Sequence, residues 1–252
     1  MNEYLKNLNK LEFVITYACT VRCKHCSEGE HTSCGAHIDP DIAVRAIKSV
    51  ASHYRVQTVM TFGGEPLLFP EAVYKIQRTA LEVGVENRQV ITNGCFSHDP
   101  KHIAEVAAGL SACKVNDVLL SVDAFHQEPL PLETVRIFAE ELKKRGVPVR
   151  LQPAWLGGRD ASNAYNVKTE QILASFSSLD IRVGSGNTVF PSGNAARYLS
   201  DYFDNENTVA DPYVEDPFDV KTLSFDPDGT VLDGNAAQSD ILDIIKAYKP
   251  KK

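Results

Sequence analysis

Leu11-Glu-Phe-Val-Ile-Thr-Tyr-Ala-Cys19-Thr-Val-Arg-Cys23-Lys-His-Cys26 is the stretch on which the reading of this chain turns. Apolar and polar residues alternate from Leu11 to Tyr17, the period of a half-buried strand. The alternation then breaks into a polar loop with three cysteines in eight positions. A loop with Cys-x3-Cys-x2-Cys spacing can wrap three irons of a cubane cluster and leave the fourth iron without a protein ligand. An open metal position is where a substrate binds, whereas a closed one serves structure. A structural zinc with His25, His31, Cys34 or His37 as fourth ligand is the alternative, and chance clustering of thiols fits a polar loop poorly.

Outward from this loop, short β-like runs alternate with helical stretches. Asp39-Pro40 supplies an N-cap and a first-turn proline for a helix carrying Ile42, Val44, Ala46, Ile47 and Val50. Strands are predicted at 56–62, 89–92, 115–122, 147–155 and 181–183. Helices are predicted from Pro70 to a stop at Gly84, over 100–110, over 132–145 and near 168–178. Six such alternations call for parallel strands with crossover helices, and the glycine-rich and polar residues after the strands put the active face at their C-terminal ends. A surface loop is expected over 205–219, then a hairpin over 222–232 turning at Asp228-Gly229, then a short helix over 239–248. The expected division is 1–204 for the body and 205–252 for a C-terminal cap.

The 252 residues carry a net charge of −7, so no global basic field draws nucleic acid. No apolar run approaches the roughly 18 residues of a membrane span, and the N-terminus lacks a signal-peptide pattern. These features predict a cytoplasmic protein whose thiols stay reduced.

The cysteine spacing resembles the signature of the radical S-adenosylmethionine (SAM) superfamily, with His25 where that family usually has an aromatic residue. Gly63-Gly64-Glu65-Pro66, at the end of the second strand, resembles the family segment that binds the SAM amino group; glycines permit close backbone approach and a carboxylate suits an ammonium. Ile91-Thr92-Asn93-Gly94 resembles the family's third-strand end beside the cofactor. Leu120-Ser121-Val122-Asp123 resembles the fourth-strand Ser-x-Asp of the sulfatase-maturing and peptide-modifying branch, with Ala124 in place of the usual glycine. Phe190-Pro-Ser-Gly193-Asn-Ala-Ala196 is similar to the Gly-Arg-Ala loop near adenine; Asn194 replaces the arginine, so only backbone contacts from Gly193 are implied.

The resemblance implies an α/β fold, a partial (β/α)6 TIM-like barrel with a short C-terminal hairpin and helix. It also implies a [4Fe–4S] cluster on Cys19, Cys23 and Cys26. The SAM-binding set would be His25, Gly63, Gly64, Glu65, Pro66, Asn93, Ser121, Asp123 and Gly193, joined by Arg150 and Gln152 if their strand face is inward; an outward Arg150 is the alternative. Cys95 follows a strand end and is a candidate hydrogen donor or substrate ligand. His126 is a candidate substrate contact or proton carrier, a solvent-exposed loop histidine being the alternative. The tail resembles the opening hairpin of the extension in peptide-modifying relatives, yet no cysteine follows Cys113, so no full auxiliary cluster is implied.

The implied activity is reductive cleavage of SAM to a 5′-deoxyadenosyl radical that takes hydrogen from a peptide or protein side chain. A carbohydrate or nucleoside substrate and a non-catalytic metal-binding protein are the alternatives. A reductant such as flavodoxin or ferredoxin is implied as partner, with no nucleic acid and no membrane. Only ten residues precede the first strand, with nothing resembling a leader-peptide-binding domain, which weighs against the peptide.

Overall fold

Alternating strands and helices produce the architecture their order demands in the computed structural model of the chain, which describes residues 2–29, 36–203 and 209–251. The first half runs β1 (Lys10–Val14), α1 (Pro40–Ala51), β2 (Thr58–Phe62), α2 (Pro70–Glu82), β3 (Asn87–Thr92), α3 (Pro100–Ala112) and β4 (Asp117–Ser121). Then come α4 (Ala124–Gln127), α5 (Leu132–Lys144), β5 (Val149–Gln152), β6 (Ala154–Leu156), α6 (Ala164–Ser175), β7 (Arg182–Val183), β8 (Asn187–Val189) and α7 (Gly193–Tyr198). The tail holds β9 (Thr222–Phe225), β10 (Thr230–Val231), β11 (Gly234–Asn235) and α8 (Ile241–Ala247). Asp39 and Asp99 cap α1 and α3, accepting from the backbone N–H two residues on, with proline at the first helical position in both.

Among the described residues the main sheet has seven parallel strands in the order β7-β5-β4-β3-β2-β1-β9. Six of them form the partial TIM-like barrel. One face carries Leu11, Phe13, Val59, Val90, Val118, Leu120, Leu151, Leu223 and Phe225, all buried against the helices in one core. Phe13 and Phe225 stack across β1 and β9 with centroids 4.7 Å apart. The opposite, inner face is mixed: Glu12, Gln89, Asp117, Arg150 and Gln152 share it with Val14, Met60, Ile91 and Leu119.

The expected pattern is departed from in two places. The expected strand 147–155 splits at Pro153, which has no N–H for a ladder; β5 stays in the main sheet while β6 pairs with β8, a three-residue strand too short for periodicity to reveal. The hairpin expected over 222–232 is divided: β9 extends the main sheet beside β1 in parallel register, and β10 pairs antiparallel with β11. The tail therefore supplies one strand of the main sheet. Its helix α8 buries Ile241, Ile244 and Ile245, and the Asn2 side chain donates to the carbonyls of Ile245 and Tyr248 at 2.8 Å. Among the described residues no helix is long and apolar enough to cross a membrane.

Candidate cofactor site

The loop after β1 is pinned to the end of β2 by backbone bonds. Gly64 N–H donates to Thr16 O and Glu65 N–H to Ala18 O, both at 2.8 Å. A Cβ on Gly63 would lie 2.5 Å from Thr16 O, and one on Gly64 would lie 2.2 Å from Ala18 O. These glycines are needed so that two strand ends touch. Glu65 is fully buried, and its carboxylate accepts from Leu67 N–H (2.9 Å), Thr92 Oγ1 (2.8 Å) and Asn93 N–H (2.9 Å). Burial raises its carboxyl to about 7 despite those donors. Pro66 opens the short helical turn that Glu65 caps.

From the end of β3, the Asn93 amide reaches back to the loop, 3.2 Å from Thr20 Oγ1 and 3.6 Å from Cys19 Sγ. From the far side comes α7. Asn194 N–H donates to Cys26 O at 2.9 Å and Asn194 Nδ2 to Cys23 O at 3.1 Å, while Ser192 Oγ donates to Ser27 O at 3.3 Å. Gly193 has φ +51, and a Cβ there would stand 2.4 Å from Ser27 O. The cysteine loop is thus held by β2, β3 and a segment roughly 170 residues downstream.

Cys23 is buried, and Cys19 and Cys26 are half-buried; all three are free thiols. Burial raises Cys19 to about 11 and pushes Cys23 and Cys26 up as well. Such thiols ionise when a metal supplies the compensating charge. Among the described residues their sulfurs do not all lie within 4.8 Å of one another, whereas a tetrahedral zinc would draw them to about 3.8 Å. Nor, among the described residues, does a histidine complete a zinc set. His25 packs on Phe125 (centroids 4.9 Å) and His126 (4.7 Å), and His37 packs on Phe69 with Nδ1 2.7 Å from Ile38 O. His31 and Cys34 lie outside the described residues. Among the described residues, three thiols without a fourth ligand fit a cubane cluster with one open iron.

Beside the loop, Asp123 is fully buried and caps α4, accepting from Phe125 and His126 N–H, from Ala154 N–H at 3.0 Å and from His126 Nδ1 at 2.8 Å. Burial alone would raise this carboxyl; the His126 charge and hydrogen bonds outweigh it and hold it at about 2. Burial, with His126 adjacent, lowers His25 to about 4, which leaves its ring neutral near pH 7. Among the described residues Nδ1 of His25 has no hydrogen-bond partner. Ser121 ends β4 and is nearly buried. Cys95 is buried in the packed core with Phe96 and Phe138, and its N–H donates to Asn93 Oδ1 at 2.8 Å.

Arg150 and Gln152 do face inward, into a row of side-chain bonds across the barrel. Gln89 Nε2 donates to Asp117 Oδ2 at 2.7 Å, and the Arg150 guanidinium grips Asp117 with Nε–Oδ1 2.9 Å and Nη2–Oδ2 3.1 Å. Arg150 Nη1 also reaches Gln152 Oε1 (3.3 Å), whose Nε2 donates to Asn187 Oδ1 (3.2 Å). Lys10 and Glu12 pair on the same face of β1. Sequence reasoning passed over Gln89 and Asp117, although their alternation with Val90 and Val118 was a usable signal. It also missed the grip of Asn194, for which no local signal exists.

A three-thiol loop on a partial parallel barrel defines a class of enzyme that cleaves SAM at a [4Fe–4S] cluster, and the comparisons agree. Residues 13–155 match the family described as Radical SAM superfamily, over half of the chain, and the chain belongs to that family. It is 24% identical over 131 residues to a GTP 3′,8-cyclase of Desulforamulus reducens and 26% identical over 129 residues to that of Moorella thermoacetica. These stretches span 51% and 50% of this chain but 38% of each relative, so the chain spans well under half the length of the curated relatives it matches. Among solved structures it resembles Streptococcus suis SuiB bound to S-adenosylmethionine (TM-score 0.64, 13% identity, 98% of this chain and 67% of that one). It also resembles anSMEcpe with bound AdoMet (TM-score 0.58, 16% identity, 96% and 81%). At these identities the likeness concerns the fold. Membership makes the protein a radical SAM enzyme, of a family that uses a [4Fe–4S] cluster and SAM.

Proposed function

We propose that the enzyme takes hydrogen from a polar small molecule, of nucleotide or sugar character, seated against the inner face of the barrel. The observation that carries this reading is the row of half-buried Gln89, Asp117, Arg150 and Gln152, ending at exposed Asn187, which offers both donors and acceptors. A closed barrel of this type fills its interior with branched apolar side chains; an inner face that sets charges and amides among Met60, Ile91 and Leu119 suits a ligand that also hydrogen-bonds. The curated relatives, by their names, act on GTP, which supports the same class. The features that suggested a peptide are engaged elsewhere: Asp123 in capping α4, and the first tail strand in the main sheet.

When bound, the cluster and SAM supply a 5′-deoxyadenosyl radical. Cys19, Cys23 and Cys26 would hold the cluster. Gly63, Gly64, Pro66, Ser121, the His25 ring and the Gly193 backbone would bind SAM, while Asn93 and Glu65 hold the cysteine loop. Asp123 holds the Nδ1 side of His126, leaving Nε2 to hold or move a proton at the substrate. A ferredoxin or flavodoxin is the proposed electron source.

Anaerobic reconstitution, dithionite reduction and assay of 5′-deoxyadenosine against panels of nucleotides, sugars and peptides test the proposal. The expected result is stimulation by a nucleotide or sugar. Stimulation by peptides alone would transfer the substrate to the peptide class.

A further inference from the structure

The side chain of Asn93 has its orientation dictated by the backbone. Its Oδ1 accepts the N–H of Cys95 at 2.8 Å, so the NH2 group points the other way, at Thr20 Oγ1 and Cys19 Sγ. The residue is 5% exposed, and its own N–H is tied to Glu65 Oε2. One amide hydrogen serves the threonine oxygen and the other faces the sulfur. A hydrogen bond to a cluster thiolate offsets negative charge, favours the reduced state and raises the reduction potential.

We propose that Asn93 is a positioning residue for the cluster, whose side-chain N–H···S bond to Cys19 holds that ligand and raises the potential of one-electron reduction. The electron comes from an external low-potential donor, and no bond is made or broken in this step. The role goes beyond the SAM contact that the Ile91–Gly94 resemblance implies, and it rests on Cys19 being a ligand.

The test is an EPR-monitored redox titration of the reconstituted full chain with dithionite and viologen mediators, together with iron and sulfide analysis. Asn93→Ala removes the donor. Asn93→Asp keeps the acceptor for Cys95 N–H while replacing the donor with a negative oxygen. Both are expected to keep their iron and to show a lower midpoint than the parent chain, the aspartate lower still. Thr20→Val, which removes the competing acceptor, should leave the midpoint near the parent value. An Asn93→Ala chain with full iron and the parent midpoint overturns the proposal. If neither Asn93 variant loads a cluster, the parent chain labelled with side-chain ¹⁵N asparagine decides: pulsed EPR of the reduced cluster should show a ¹⁵N coupling, and its absence overturns the proposal equally. A parent chain that loads no cluster removes the ligand assignment, and this proposal with it.

Discussion

The strand ends and the inner face of the same barrel both spend polar residues, but they treat them in opposite ways. At the ends of β2 and β3, Glu65 and Asn93 are buried and committed: three donors converge on one carboxylate, and one amide bonds to a backbone N–H, a hydroxyl and a thiol. On the inner face, Glu12, Asp117 and Arg150 keep roughly a fifth to a quarter of their side-chain surface exposed and bond sideways to neighbours, Glu12 to Lys10 and Asp117 to Arg150. A buried polar group stripped of its partner costs about 1–3 kcal/mol, so the first arrangement is locked. A part-exposed pair exchanges its partner for water at a cost of about 1 kcal/mol or less, so the second can reorganise around a ligand. On the proposed function, the contrast is between a frame for a cluster and a receptor for a substrate.

The largest effect should fall on the loop the frame supports. Replacing Cys19, Cys23 and Cys26 together with Ala should abolish iron and sulfide uptake on reconstitution; full iron retention would break the ligand assignment. Next comes the frame. Glu65→Ala leaves Leu67 N–H, Asn93 N–H and the Thr92 hydroxyl without their acceptor, at a cost of about 3 kcal/mol or more in denaturant unfolding of the metal-free chain. A loss under about 1 kcal/mol would mean that water replaces the carboxylate and that the frame is not locked. In the same residue, a carboxyl raised from 4.5 to about 7 contributes stability fully below 4.5 and loses it as pH rises through 7. The stability difference between the parent and Glu65→Gln should therefore move against the parent between about pH 5 and about pH 8, by at most about 3 kcal/mol. A difference flat across that window would show that the carboxyl titrates normally. Asn194→Ala, which strips Cys23 O of its side-chain donor, should cost about 1–2 kcal/mol and hasten iron loss to a chelator; unchanged chelation kinetics would detach α7 from the cysteine loop.

This ordering follows what the sequence made legible. The parallel barrel was readable because each strand ends in a glycine or polar break and each long helix opens on a recognisable start, as at Asp39-Pro40 and Pro70. The three thiols and the Gly63–Pro66 turn were readable because spacing within a few residues carries their geometry. What local spacing could not carry was the engagement of distant segments. That Asn194 would grip the carbonyls of Cys23 and Cys26 depends on where α7 docks. That β9 would leave its expected hairpin for the edge of β1 depends on an unpaired strand edge being available there. The same limit explains the partners of Glu65, since Thr92 and Asn93 share no local pattern with it.

The smallest expected effect on stability is also the one that separates frame from receptor most directly. Asp117 and Arg150 form a two-pronged ion pair, a geometry that would signal structural importance were the pair buried. With the side chains 26% and 23% exposed, water can replace either partner. Asp117→Asn and Arg150→Met should then each change unfolding stability by about 1 kcal/mol or less and leave cluster loading and substrate-free 5′-deoxyadenosine formation as in the parent. The consequence should appear only with substrate present, as a higher concentration needed for half-maximal stimulation. A destabilisation of about 3 kcal/mol would instead place the pair with Glu65 among the locked groups. The inner face would then be part of the frame, and the substrate would have to be held nearer the strand ends, by Ser121 and His126.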